Sequence, residues 1–273
     1  MPSGADPRER WIEGRHFAAA TMIGARRRQE DAWSVQVVAD DDTGEKLLLA
    51  AIADGMGGLP AGDQASRITI RNFVGSYPLI TEPPAERLRP ALGHANQAMR
   101  AATEADRSLR RMGSTLVAAL FFEDRLQWLS VGDSHIFHWR RDALKRVNPL
   151  HTYGRELDAR AARGEISATH AALHPERAAI TSAVMGLPLD AVAEGEVDLA
   201  EGDVVVLASD GVETLSDEQV AAICGEYKSA GASRIAEAVI RRIEQRATPW
   251  QDNATAVVVC PPSPTDQSED PLR

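Results

Sequence analysis

The chain has 273 residues, 44% hydrophobic and 26% charged, enough to bury a sizeable core as one large domain or two small ones. Thirty Lys and Arg against forty Asp and Glu give a formal charge of -10, which argues against non-specific nucleic-acid binding and suits a protein that gathers cations. No apolar run approaches the roughly 20 residues needed to span a bilayer, the N-terminal MPSGADPRER lacks an apolar signal core, and Cys224 and Cys260 stand far apart without a CxxC partner, so we expect a cytoplasmic protein with no membrane contact, disulfide or structural zinc.

In chain order, residues 1–14 are polar and are expected to form a flexible N-terminus. Strand-like runs follow at HFAAATMIG (16–24), DAWSVQVV (31–38) and KLLLAAIA (46–53). The stretch from Pro84 to Arg111 has helical spacing, with Leu88, Leu92, Ala95, Met99 and Ala102 on one face. Four more strands are predicted at STLVAALFF (114–122), RLQWLSV (125–131), SHIFHWR (134–140) and ALKRV (143–147), and another at DVVVLAS (203–209). Ser216 opens SDEQ, which has the form of a capping box leading into VAAIC, and SRIAEAVIRRIEQR (233–246) repeats apolar residues at Ile235, Val239 and Ile243. A last strand, ATAVVVC (254–260), precedes a Pro-rich polar tail, 261–273, expected to be flexible. Nine strands with intervening helices, no strict βαβ alternation and no GxGxxG or GxxxxGK[ST] loop give an α+β class with helices on the outer faces of stacked sheets.

The chemistry lies in the acids that abut these apolar runs: Glu30 and Asp31, Asp54, Asp133, Asp210 and Asp252. Each alone reads as a turn residue. Together, at the ends of strands that converge in one core, they form a set of carboxylates that would repel one another unless cations neutralise them. Hard oxygen donors without clustered His or Cys select Mg²⁺ or Mn²⁺, and no calcium loop is present. His151 and His174 read as loop or capping residues. The run GARRRQED puts Arg26, Arg28 and Glu30 on one face of an extended chain and Arg27 and Asp31 on the other; the arginines are either a solvated basic turn or a clamp for an anion beside the acids.

The ordered set GARRRQED, ADGMGG, MGSTL, VGDS, ASDG and DNATAVVV resembles the motif series of the metal-dependent Ser/Thr protein phosphatases of type 2C in their compact bacterial form, over residues 15–260. The resemblance implies one domain of two stacked antiparallel sheets in a four-layer α-β-β-α arrangement, with a two-metal centre holding Mn²⁺ or Mg²⁺. Carried over by position, Asp54 would bridge two ions, Glu30 and the Gly55 carbonyl would complete one of them, and Asp210 and Asp252 would hold the other. Asp133 with Asp210 matches a third, weaker metal position. Asp31 would orient metal-bound water, and Arg26 would bind phosphate, with Arg28 as its substitute. Gly57 and Gly58 would let the backbone pass close to the cluster.

The resemblance further implies hydrolysis of phosphoserine and phosphothreonine in proteins by a metal-bridging hydroxide, opposing a Ser/Thr kinase in bacterial signalling, and a monomer with no nucleic-acid partner. The rival is a non-catalytic phosphatase-like module that binds phosphoproteins; the intact set of acids speaks against it. A small-molecule phosphatase lacks its expected motifs. Departures from the family pattern are Gln29 in place of Asn, His135 in place of Arg, Met56 where eukaryotic relatives often have His, and Leu150 and Ala178 in a flap region at about 148–186.

Overall fold

The computed structural model describes residues 11–40, 43–56, 61–122 and 124–262. Eleven strands fall among them: β1 (Phe17–Met22), β2 (Asp31–Ala39), β3 (Lys46–Met56), β4 (Gly113–Ser114), β5 (Leu116–Phe122), β6 (Arg125–Val131), β7 (His135–Arg140), β8 (Ala143–Arg146), β9 (Ala193–Asp198), β10 (Val204–Ala208) and β11 (Ala254–Val259). One sheet has the order β1-β11-β10-β7-β8 and the other β2-β3-β5-β6-β9, with β4 beside β3 and every pairing antiparallel.

The central strands β3, β5, β10 and β11 read as unbroken apolar runs because both of their faces are buried. In β3, Leu48, Ala50 and Ile52 pack between the two sheets, while Leu47, Leu49, Ala51 and Ala53 face the helices α1 (Ala61–Ser76) and α2 (Leu88–Ala105). The same division holds in the opposite sheet. Val205, Leu207, Val257 and Val259 point to the inter-sheet core, and Val204, Val206, Ala256 and Val258 meet α5 (Asp217–Tyr227) and α6 (Ala232–Arg246). Three apolar interfaces between four layers follow, as the α-β-β-α expectation requires.

The helices begin and bury faces as their sequences suggest. Ser216 and Gln219 form the reciprocal capping box at the start of α5. Leu88, Leu92, Ala95 and Met99 of α2 are buried, as are Ile235, Val239 and Ile243 of α6. Two elements lacked a clear sequence signal. Helix α1 buries Gly62, Ser66 and Thr69 alongside Phe73 and Val74, so its inner face is not uniformly apolar. Strand β9, AEGEVD, alternates half-buried and exposed residues at a sheet edge. Cys224 and Cys260 are free thiols that burial pushes up to about 12, consistent with small apolar side chains.

One boundary is corrected. Residues 11–14, expected in a flexible N-terminus, are knitted into the fold: Trp11 is 7% exposed in the inter-sheet core, and its Nε1 donates to the Lys46 carbonyl at 3.0 Å. The Ser233 N–H donates to the Gly14 carbonyl at 2.9 Å, tying the segment to α6. An apolar indole three residues inside a polar stretch is what the composition average concealed. Gly57 and Gly58 lie outside the described residues, as do 1–10 and 263–273.

The flap region contains α3 (Tyr153–Ala162) and α4 (Ala168–Ala172), held together by Arg177, which donates to both Asp158 carboxylate oxygens at 2.8 and 2.6 Å and to the carbonyls of Gly154 and Ala171. His174 accepts from the Glu176 N–H, the local role expected of it.

Candidate metal centre

Antiparallel pairing sets the start of each strand beside the end of its neighbour, and this collects the acids at one rim. Asp31 opens β2 directly opposite Asp54 near the end of β3. Asp210 follows β10, Asp252 precedes β11, and Asp133 sits in the turn between β6 and β7. The two sheets are joined at this rim by Asp31 itself: its Oδ2 accepts from Ser209 Oγ at 2.8 Å and from Thr255 Oγ1 at 2.7 Å, both on the opposing sheet.

The backbone around Asp54 is fixed on every side. Its N–H donates to Thr115 Oγ1 at 2.9 Å, and its carbonyl accepts from the Thr115 N–H at 2.9 Å and from Ser114 Oγ at 3.0 Å. Glu30 is held likewise: its N–H donates to Asn253 Oδ1 at 2.8 Å and its carbonyl accepts from the Gly55 N–H at 3.1 Å. Gln29 Oε1 accepts from the Asp31 N–H at 2.9 Å. His151 Nδ1 accepts from the Gly132 N–H at 3.1 Å and so steadies the turn that carries Asp133. Its pKa is lowered by burial and by Arg155, which keeps Nδ1 free to accept.

The side chains at the rim form an electrostatically costly group. Burial, reinforced by Asp31, Asp210, Asp133 and Asp252, holds the Asp54 carboxyl well above the ordinary range. Burial also pushes Asp31 and Asp133 up to about 6, with Asp210 adding repulsion at each. Asp210 is raised by burial, then by Asp252 and Glu213. Glu30 is raised by burial, with Arg26 opposing and Asp63 adding to the shift. Each of these carboxylates is at least partly buried and short of positive charge.

Gly55 and Gly62 mark where the Glu30 carboxylate and the Gly55 carbonyl come together. A Cβ on Gly62 would lie 2.9 Å from Glu30 Oε1 and 2.9 Å from the Gly55 carbonyl oxygen, so these two oxygens flank one small space that only glycine leaves open. A Cβ on Gly55 would lie 1.9 Å from the Gly62 carbonyl. Gly62 and its neighbour Asp63, at the start of α1, are the part of the site that sequence reading missed; the signal was AGDQAS, an acid after a glycine at a helix start.

Among the described residues, no three His, Cys, Asp or Glu side chains stand as a closed ligand set for one ion. The donor chemistry nevertheless fits a hard divalent cation. Asp31 Oδ1, Asp63 Oδ1 and Asp210 Oδ1 are buried without a hydrogen-bond partner, among mutually repelling carboxylates.

Arg26 sits at the edge of this group, paired with the Asp252 carboxylate, and is exposed on its other side. Arg28 is 4.0 Å from Asp63 instead, and Arg27 is exposed. Of the two faces read from GARRRQED, Arg26 is thus the one at the acids from the second sheet. His135, two residues after Asp133, is stacked on Phe137 with ring centroids 5.2 Å apart, and its Nε2 lies 3.2 Å from Glu213 Oε1.

Comparison with known proteins gives the family. Residues 21–248 match the family model described as protein phosphatase 2C; the match stops just short of Asp252. The serine/threonine protein phosphatase PstP of Mycobacterium tuberculosis is 29% identical over 247 residues, 89% of this chain and 46% of that protein, so the chain spans about half its length. The crystal structure of the M. tuberculosis serine/threonine phosphatase PstP/Ppp superposes with a TM-score of 0.72 at 28% identity, covering 89% of this chain and 96% of that one. A catalytic domain of PstP solved in complex with two manganese ions gives 0.70 at 27% identity, over 89% and 96% of the two chains. With its six motifs in order, its four layers and its rim of acids, the chain belongs to the protein phosphatase 2C family.

Proposed function

We propose that this chain is a Mn²⁺- or Mg²⁺-dependent phosphatase that hydrolyses phosphoserine and phosphothreonine in proteins. The observation that carries the reading is the rim of carboxylates from both sheets with one arginine at its edge. The two manganese ions in the PstP catalytic domain support the metal count. Asp54 would lie between the two ions, Glu30 and the Gly55 carbonyl would hold one, Asp210 and Asp252 the other, and Asp133 with Asp210 a third.

Two divalent cations, when bound, supply hydroxide from water near neutral pH and offset the charge that develops at phosphorus. The residues of this chain do the rest. Arg26 offers two guanidinium nitrogens to the phosphoryl oxygens and fixes them for in-line attack. Asp31, fixed through Oδ2 by Ser209 and Thr255, keeps Oδ1 as an acceptor that orients water. Met56 brings no acid to the leaving alkoxide, which takes its proton from water.

A cognate Ser/Thr kinase, a role in signalling, a cytoplasmic location and a monomeric state belong to the same proposal and rest on the resemblance and the composition. No helix among the described residues is long and apolar enough to cross a membrane.

Hydrolysis of para-nitrophenyl phosphate with and without Mn²⁺, by the parent and by Asp210→Ala, tests the reading. We expect metal-dependent turnover that collapses in the variant. Turnover that survives both EDTA and Asp210→Ala would sink the two-metal mechanism, and inactivity of the parent would favour the phosphoprotein-binding module.

A further inference from the structure

The loops that carry Arg26 and Asp252 also carry an apolar pair that the chemistry of the centre does not use. Trp250, two residues before Asp252, is 82% exposed, the most exposed large hydrophobic side chain among the described residues. Ile23, three residues before Arg26, is 48% exposed. The two loops are clamped together. The Ala25 N–H donates to the Gln251 carbonyl at 2.7 Å, and the Asn253 side-chain amide donates to the Ile23 carbonyl at 2.8 Å. Gly24, at φ +65°, has no room for a Cβ, which would meet the Asp252 and Gln251 carbonyls at 2.4 and 2.5 Å. Ile23 and Trp250 thus stand exposed on two joined loops that also carry Arg26 and Asp252, with the exposed Arg27 beside Arg26.

We propose that Trp250 and Ile23 form a docking platform for the substrate chain, seating an apolar residue one or two positions from the phosphorylated serine or threonine. The proposal rests on the phosphatase reading. Continuity with the centre identifies the occupant. A phosphoryl group gripped by Arg26 brings its own main chain to these joined loops, and an extended chain advances about 3.3 Å per residue, so its near neighbours come within reach of the loops that carry Ile23 and Trp250. Arg27, exposed on the same loop, offers a further cation to a phosphorylated chain seated there. A rigid aromatic that keeps its area exposed in the free protein is suited to bury it against a partner at low entropic cost.

The test is steady-state kinetics with Mn²⁺ on three substrates: para-nitrophenyl phosphate, a phosphothreonine peptide with leucine on both sides of the phosphorylated residue, and the same peptide with glycine there. The parent should favour the leucine peptide by about tenfold in kcat/KM. In Trp250→Ala that preference should disappear through KM, with kcat and para-nitrophenyl phosphate turnover unchanged, and Ile23→Ser should shift it the same way by less. Persistence of the preference in both variants, or a parallel fall with para-nitrophenyl phosphate, would overturn the platform. A parent that turns over para-nitrophenyl phosphate but ignores the flanking residues sinks this proposal alone; a parent inert toward all three substrates sinks the phosphatase reading with it. Sedimentation of the parent with anionic lipid vesicles, lost in Trp250→Ala without any peptide preference, would reassign the pair to a membrane surface and likewise overturn it.

Discussion

The Arg26 guanidinium closes on the Asp252 carboxylate, pairing a residue proposed to grip phosphate with one proposed to hold metal across 226 residues of chain. The pair is half-exposed, so it contributes little to folding. Its consequence is positional: the guanidinium is held within reach of whatever binds at Asp252. Arg26→Ala should raise KM for para-nitrophenyl phosphate by about tenfold or more, the loss of a charge-assisted hydrogen bond of about 1.5–3 kcal/mol, with a smaller fall in kcat. Arg28→Ala, which removes only a 4.0 Å contact to Asp63, should leave KM within about twofold. A raised KM in Arg28→Ala with none in Arg26→Ala would exchange their roles.

The repulsion among the rim acids leads to an opposite sign for stability and function. Asp54 is buried among Asp31, Asp210, Asp133 and Asp252, while its backbone is held by Thr115 independently of the carboxylate. Asp54→Asn keeps the shape and removes the repelled charge. In EDTA it should therefore unfold at a higher temperature than the parent, by a few degrees for about 1 kcal/mol. Mn²⁺ at about 100 times its Kd should stabilise the parent by about 2.7 kcal/mol and the variant by far less, and the variant should lose turnover. Thermal unfolding of both proteins with and without Mn²⁺ checks this; a variant that melts below the parent in EDTA contradicts it.

Much of this site could be read from residue order, and the limit of that reading is set by what pairing decides. Runs such as Leu47–Ala53 announce strands buried on both faces, and the acids at their ends announce a charged rim. The facing of Asp31 and Asp54 depends on β2–β3 register, which the sequence leaves open because β3 is apolar on both faces and offers no alternation to align against. Arg26, which the resemblance puts ahead of Arg28, is set beside Asp252 only by the packing of the Gln251–Asp252 loop against Gly24, which no residue pattern announces. Helix α1 escaped because the face it buries mixes Ser66 and Thr69 with Phe73, which weakens the apolar period, and with it went Gly62 and Asp63. Trp11 escaped for the converse reason: one indole anchors a segment whose average is polar.

Gly62 gives a prediction that only the folded arrangement supplies. Alanine is a better helix former than glycine by about 1 kcal/mol, so at an open helical position the substitution would stabilise. Here the new methyl would sit 2.8 Å from Glu30 Cδ and 2.9 Å from the Gly55 carbonyl. Glu30 must move away, because the carbonyl belongs to a strand fixed by Thr115 and Ser114. Gly62→Ala should weaken Mn²⁺ activation by about tenfold or more, matching loss of one ligand, while changing the melting temperature in EDTA by only a few degrees. A Mn²⁺ titration of turnover reads the effect; an unchanged half-saturation would detach Glu30 and Gly55 from metal binding.

At the far end of the sandwich, Asp203 shows what a buried carboxylate looks like when its partners are built in. It accepts from Arg140 Nε at 2.8 Å and a terminal Arg140 nitrogen at 2.6 Å, from the Ala200 N–H at 2.8 Å, and lies 2.8 Å from His138 Nε2. Burial by itself would raise its pKa, but Arg140, the Ala200 N–H and His138 outweigh it and hold the carboxyl below the ordinary range. The sign follows from that depression. Asp203 contributes stability that is fully present above the unfolded carboxylate pKa of about 4 and is lost as pH falls through the lower folded value. Asp203→Asn leaves the Arg140 charge without its counter-ion and should cost about 2–3 kcal/mol at neutral pH, tempered because Arg140 is partly in water. Urea unfolding of parent and variant should give a stability gap that is constant above about pH 5 and narrows only below about pH 4. A gap that narrows as pH rises instead would mean that Asp203 is protonated in the folded protein.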